Sequence, residues 1–193
     1  MLTHIKSHLQ RVTPLLAAID VQSLPILKIL LQYGAELQYT RNMGILRTPL
    51  QRAAEIGCFD IVQYLTKQDA IVDTIPVRSG GTALQLASTN GFCGIAAFLL
   101  ERGADPNYPP AKGHGRTAFE AAAEWGHIDT MSLLMRCNVN LDLEVGDPPE
   151  SQYERARRFA EENGFPASKR FVEHLYKQTI DQSWGDVLAL DFV

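Results

Sequence analysis

The chain has 193 residues, 46% of them hydrophobic, and a formal net charge of −4. This composition suits a soluble protein with a sizeable core, and its mild acidity runs against nucleic-acid binding, which calls for a basic excess. The longest apolar run, Ile95 to Leu100, is far too short to span a bilayer, and Met1 to Lys6 lacks the apolar core of a signal peptide. An intracellular protein, cytoplasmic or nuclear and away from membranes, is expected.

Met1 to Arg11 reads as a helix that would cover the adjoining unit through Ile5 and Leu9. A pattern then begins and returns at intervals of about 35 residues, the mark of a stacked supersecondary unit. It reads Thr13-Pro14-Leu15-Leu16-Ala17-Ala18, then Thr48-Pro49-Leu50-Gln51-Arg52-Ala53, Thr82-Ala83-Leu84-Gln85-Leu86-Ala87 and Thr117-Ala118-Phe119-Glu120-Ala121-Ala122. In the second copy, Thr48 can cap a helix and Pro49 sits at the first helical position, where a missing N–H costs nothing. Leu50, Ala53 and Ala54 recur at helical spacing, and Gly57 ends the helix. Asp60 restarts a second helix with an apolar stripe of Ile61, Val62 and Leu65, and Asp69-Ala70 closes the unit.

Later copies keep this order. Gly91 and Gly126 stand where Gly57 does, and Ile95, Ala96, Leu99, Leu100, Met131 and Leu134 supply the second stripes. Gly34-Ala35 and Gly103 to Asn107 are helix-stop sequences. The first copy lacks the central glycine: Gln22 stands there, and Pro25 begins its second helix. The fifth copy is degenerate, with Tyr153, Ala156, Phe159 and Ala160 on one face, Asn163-Gly164 at the turn, and a second helix predicted over Ser168 to Gln178. Its polar remainder suits a terminal cap. Residues 179–193 form a tail that either folds back on the last unit, remains a flexible end, or serves as an acidic-hydrophobic docking motif.

These residues resemble the ankyrin repeat, whose pattern is T-P-L-H-x-A-A, a glycine turn, then a hydrophobic helix ending in G-A-D-x-N. Gln51 and Gln85 replace the usual histidine. Ala83-Leu84-Gln85, Gly115 to Ala118 and Tyr153 to Ala156 are similar to arrays common in fungi. The resemblance implies an all-α solenoid of about five helix-turn-helix units. An ankyrin-repeat domain would cover 1–178: an N-terminal helix at 1–11, repeats near 12–46, 47–80, 81–115 and 116–150, and a degenerate cap at 151–178. It also implies short β-hairpin fingers at Leu37 to Arg47, Ile71 to Gly81 and Pro106 to Arg116.

No constellation in the sequence builds an active site. Gly113-His114-Gly115-Arg116-Thr117-Ala118 formally fits a dinucleotide fingerprint, but Pro109-Pro110-Ala111-Lys112 is no buried strand and Asn138 is not acidic. His4 and His8 are helically spaced without a nearby third ligand, and His127 is expected in a structural hydrogen bond. Cys58 and Cys93 would lie about one stacking distance apart, roughly 10 Å, beyond the reach of a disulfide. With Cys137 they are expected as reduced thiols. Neither catalysis, nor a cofactor, nor a metal is expected.

Binding residues follow from the resemblance, which puts partner contacts on the finger tips and the exposed side of the first helices. By position these are Arg47, Arg52, Glu55, Ile56, Arg78, Thr89, Asn90, Arg116, Glu124 and Trp125. Trp125 either serves as an interaction hot spot or packs on the next unit. Arg41, Arg47, Arg78, Lys112 and Arg116 make the first three fingers basic, whereas Asp142, Glu144, Asp147 and Glu150 make the fourth connection acidic. Solvated loop charge with no partner is the other reading of that polarity. The expected function is a protein-interaction module, an adaptor, inhibitor or targeting scaffold. It would be monomeric and would bind another protein that carries an acidic segment. The alternative is a regulatory fragment or remnant of a larger enzyme or NTPase-type receptor.

Overall fold

The computed structural model describes residues 13–37, 47–74 and 80–190, with side chains as far as Asp181. The predicted N-terminal helix with His4 and His8, the finger residues Arg41 and Arg78, and the last three residues lie outside the described residues. The described helices come in pairs. They are α1 (Pro14–Asp20) and α2 (Leu24–Gln32), α3 (Pro49–Glu55) and α4 (Phe59–Lys67), α5 (Ala83–Thr89) and α6 (Cys93–Glu101), α7 (Ala118–Glu124) and α8 (Ile128–Arg136), and α9 (Gln152–Glu162) and α10 (Pro166–Leu190). The helices α1, α3, α5, α7 and α9 pack one on the next as an inner layer, each backed by its own second helix.

Each inner helix starts at a hydroxyl cap. Thr13, Thr48, Thr82, Thr117 and Ser151 each accept a hydrogen bond from the third helical amide. At Thr48, Thr82 and Thr117 the box closes reciprocally through Gln51, Gln85 and Glu120. These three residues also reach beyond their own helix, the glutamines to the connection that leads to the next unit and Glu120 to the next unit itself. Gln51 Nε2 donates to Thr74 O at 3.2 Å and Gln85 Nε2 to Tyr108 O at 2.9 Å. Glu120, wholly buried, instead accepts two hydrogen bonds from Arg155 at 2.6 and 3.1 Å. Glutamine at the usual histidine position therefore both closes the capping box and bonds to the connection that follows.

The turn inside each unit needs a left-handed residue. Gly57, Gly91, Gly126 and Gly164 supply it, and in the first unit Gln22 takes the same conformation at φ 52° without being glycine. The second helices end likewise, at Gly34, Asp69, Gly103 and Asn138. Asp and Asn are the residues that tolerate this region best after glycine. Leu15, Leu50, Leu84 and Phe119 fill equivalent core positions, as do Leu65, Leu99 and Leu134. Ile26 is 49% exposed where its counterparts Ile61 and Ile95 are buried, since among the described residues no unit precedes the first.

Two expectations are corrected. The connection at 106–116 carries turns and no strand, because Pro109 and Pro110 have no N–H to give a ladder. A two-stranded antiparallel hairpin lies in the fourth connection instead, between β1 (Glu144–Val145) and β2 (Glu150–Ser151). The last helix is also far longer than predicted: α10 runs 25 residues, through most of the segment expected as a separate tail. Tyr176 on α10 stacks on Tyr153 with ring centroids 3.9 Å apart and donates to Asp142 at 3.0 Å.

Candidate partner-binding face

The inner helices α3, α5 and α7 line one surface together with described residues just before them. Nine of the ten residues singled out from the sequence line a single groove of about 470 Å³ on it, the tenth being Arg78. The second unit contributes Arg47, Arg52, Glu55 and Ile56. The third contributes Thr89 and Asn90, and the fourth Arg116, Glu124 and Trp125. Sequence reasoning missed Gly80, Gly81, Gln85, Leu86, His114 and Gly115, which complete the lining. Gly81 and Leu86 were within reach of the register, since they stand where Arg47 and Arg52 stand one unit earlier.

Trp125 is the largest apolar side chain of the groove and is 47% exposed. It ends α7 as its C-cap, where the side chain leaves the helix on the inner side. Ile56 and Asn90 occupy the same C-cap position in α3 and α5. His127, which follows the next turn, has Nε2 3.1 Å from Thr89 O and so braces the back of the groove.

The charges are compensated within the chain. Arg47 reaches Glu55 at 3.0 Å, and Arg116 holds Glu124 through two nitrogens at 2.8 and 3.0 Å. Arg52 bridges Asp20 of the first unit at 2.6 Å and Glu55 at 2.9 Å. The hydrogen bond to Asp20, with help from Glu55, holds the Arg52 guanidinium above its ordinary pKa in spite of partial burial. Arg116 also lies 3.7 Å from the centroid of the Phe159 ring. The open basic row expected at Arg47 and Arg116 is therefore corrected. Each arginine reaches a glutamate at the end of the helix that follows it, a contact made by the fold of the capped turn.

The fourth connection keeps its acidic character. Glu144 and Asp147 are exposed, Glu150 pairs with Arg158 at 2.8 Å, and Asp142 accepts from Tyr176. Between this hairpin and Pro109-Pro110 lies a second hollow of about 670 Å³, lined by charges of both signs including Lys112 and Asp147. Cys58, Cys93 and Cys137 are free thiols. Among the described residues, no group of three or more His, Cys, Asp or Glu is placed to hold a metal ion, and no helix is long and apolar enough to cross a membrane.

The family described as ankyrin repeats (3 copies) matches residues 15–110 and 79–146 of this chain. The chain is similar to the ankyrin repeat and KH domain-containing protein mask-1 of Caenorhabditis elegans, 35% identical over 139 residues, which is 70% of this chain and 5% of that protein. It is similar to the human ankyrin repeat and KH domain-containing protein 1, 30% identical over 56% of this chain and 4% of that protein. A putative ankyrin repeat protein of Rickettsia felis is 34% identical over 46% of this chain and 28% of its own length. The chain thus spans a small part of these relatives.

Proposed function

We propose a function from the premise that this chain belongs to the ankyrin-repeat family: it is a non-catalytic interaction module that grips another protein on its inner face. Ankyrin repeats are general protein-interaction modules, and the chain's own geometry supports that use here. The observation that carries the reading is the groove that gathers Trp125, Ile56 and the flanking ion pairs across three units. A half-exposed tryptophan beside arginine, on a rigid scaffold, has the character of a binding hot spot.

The partner is another protein, bound by a monomeric, intracellular chain acting as adaptor, inhibitor or targeting scaffold. An acidic partner segment is not required by this reading, since Glu55 and Glu124 already answer Arg47 and Arg116. Affinity capture with mass spectrometry, run in parallel on wild type and Trp125→Ala, tests the proposal. A partner held by wild type and weakened at least about thirtyfold by Trp125→Ala supports it. Equal capture by both would remove the inner face as the site.

A further inference from the structure

In three units the residue before the inner-helix cap and the residue eight positions on form a recurring pair. In the second unit they are Arg47 and Glu55, in the fourth Arg116 and Glu124, each an ion pair across eight residues. The fifth unit has the same pair with its signs exchanged, Glu150 and Arg158, at 2.8 Å. In the third unit these two positions hold Gly81 and Thr89, which have no charges to pair. The Thr89 hydroxyl turns back onto its own helix, donating to Gln85 O at 2.9 Å. Gly81 and Thr89 line the groove at the positions where an arginine and a glutamate stand on either side.

The chemistry of that recess selects its occupant. Both oxygens of Glu55 and both of Glu124 already accept from arginine. Arg52 is committed to two carboxylates, and Arg116 also donates to His114 O at 3.1 Å. A charged group entering here would lose water without gaining an unengaged counter-charge, which is unfavourable. The neutral polar groups of the lining are engaged within the chain too: Gln85 with the Thr82 amide and Tyr108 O, the Thr89 hydroxyl with Gln85 O, and Asn90 Nδ2 with Leu86 O. What is left is Ile56, the mostly buried Leu86 and the half-exposed Trp125, with His114 also in the lining. The groove as a whole, about 470 Å³ across three units, lies in the range of roughly 300–1,000 Å³ typical of binding clefts, with the recess as its middle part.

We infer that the recess left by Gly81 and Thr89 receives one bulky apolar side chain, aromatic or large aliphatic, projecting from an extended segment of the partner protein. The inference rests on the inner face being the binding face. The neighbouring ion pairs act as walls: they fix the position of the anchor along the stack and make binding insensitive to salt. Specificity lies in the register between that anchor and Trp125.

The test rebuilds the missing pair. Gly81→Arg with Thr89→Glu recreates the arrangement of the adjacent units and plugs the recess. Thr89→Phe fills it from the helix side without touching Gly81, whose added β-carbon would meet Gln85 at 3.2 Å. A phage library of random dodecapeptides is selected on the wild-type chain, and the enriched peptides are synthesised and titrated by fluorescence anisotropy. Thermal midpoints of the variants verify folding. The expected peptides share one large apolar residue whose replacement by Ala weakens binding at least about thirtyfold. Each plugged variant weakens it at least tenfold, and raising salt from low to high changes it by less than about threefold. Peptides that bind both plugged variants like wild type, yet lose binding on Trp125→Ala, would overturn the recess and leave the inner face standing. Indifference to all three variants would overturn both. Enrichment of acidic, salt-sensitive peptides, or of none, would overturn the apolar anchor.

Discussion

Gly91 and His127 are held so close that a β-carbon on residue 91 would lie 2.5 Å from His127 Nδ1. The same relationship recurs between Gly57 and Phe92 and between Gly126 and Phe165, so these three central turns are each roofed by a ring from the next unit. The His127 ring has little freedom to retreat, because its other nitrogen is engaged with Thr89 O. Gly91→Ala therefore meets two penalties, a left-handed backbone and a steric one. Gly103, at φ 87°, has nothing within 4 Å of its would-be β-carbon and meets only the first. Gly103→Ala should cost about 1 kcal/mol and Gly91→Ala about 2–3 kcal/mol, read as denaturation midpoints. Equal losses would show that the ring contact does not matter.

The buried pair of Glu120 and Arg155 joins the fourth unit to the fifth. Glu120 has no exposed side-chain surface and Arg155 only 11%. Removing the arginine leaves a carboxylate buried with its Thr117 amide bond alone, so Arg155→Ala should cost about 3 kcal/mol or more. Glu120→Gln added to it should recover part of that loss, since Gln51 and Gln85 fill the same capping box in the preceding units. A double variant as unstable as the single would mean that packing, not charge, is lost with Arg155.

Asp73 supplies a pH signature. Burial pushes its carboxyl above the ordinary value, the charge of Asp105 adds to this, and the hydrogen bond from the Asp105 amide opposes it. The charged form is thus less favoured in the folded chain than in the unfolded one. Its stabilising contribution is fully present below the unfolded pKa of about 3.9 and is lost as pH rises through the higher folded value. Asp73→Asn keeps an acceptor for the Asp105 amide and does not ionise. Its stability relative to wild type should rise between about pH 3 and pH 7, measured by denaturation at each pH. A difference that does not change with pH would contradict this.

The end of α10 should contribute little to the fold. Lys177, Gln178, Thr179, Ile180 and Asp181 are all exposed, and among the described side chains Val172 and Tyr176 hold the helix earlier along its length. Truncation after Asp181 should leave the thermal midpoint within about 2 °C of wild type. A fall of more than about 5 °C, corresponding to roughly 2 kcal/mol, would mean that the distal helix is part of the core.

What the sequence made legible was local. Thr-Pro-Leu caps and turn glycines act within a few residues, so Thr48, Pro49 and Gly57 could be read in place. Gln22 was visible only as a missing glycine, because any residue can adopt the left-handed turn at a cost the surrounding packing covers. The candidate face was reached by register with the family pattern, and the groove gathers those residues. Their charge state was not reachable that way. Arg47 and Glu55 are eight residues apart, beyond the i,i+3 and i,i+4 pairs that a helix brings into contact, and only the path of the capped turn brings them together. The length of α10 was hidden for a different reason: Gly185 lies inside it and costs about 1 kcal/mol relative to Ala, so local propensity marks no continuation there.

Hydrogen exchange of the chain, alone and with its captured partner, tests the central claim most directly. Binding on the inner face should slow exchange in the segments 47–56, 80–90 and 114–125, which carry the groove, and leave the outer helices α4, α6 and α8 unchanged. Protection concentrated in α4, α6 and α8, with the groove segments exchanging as before, would contradict it.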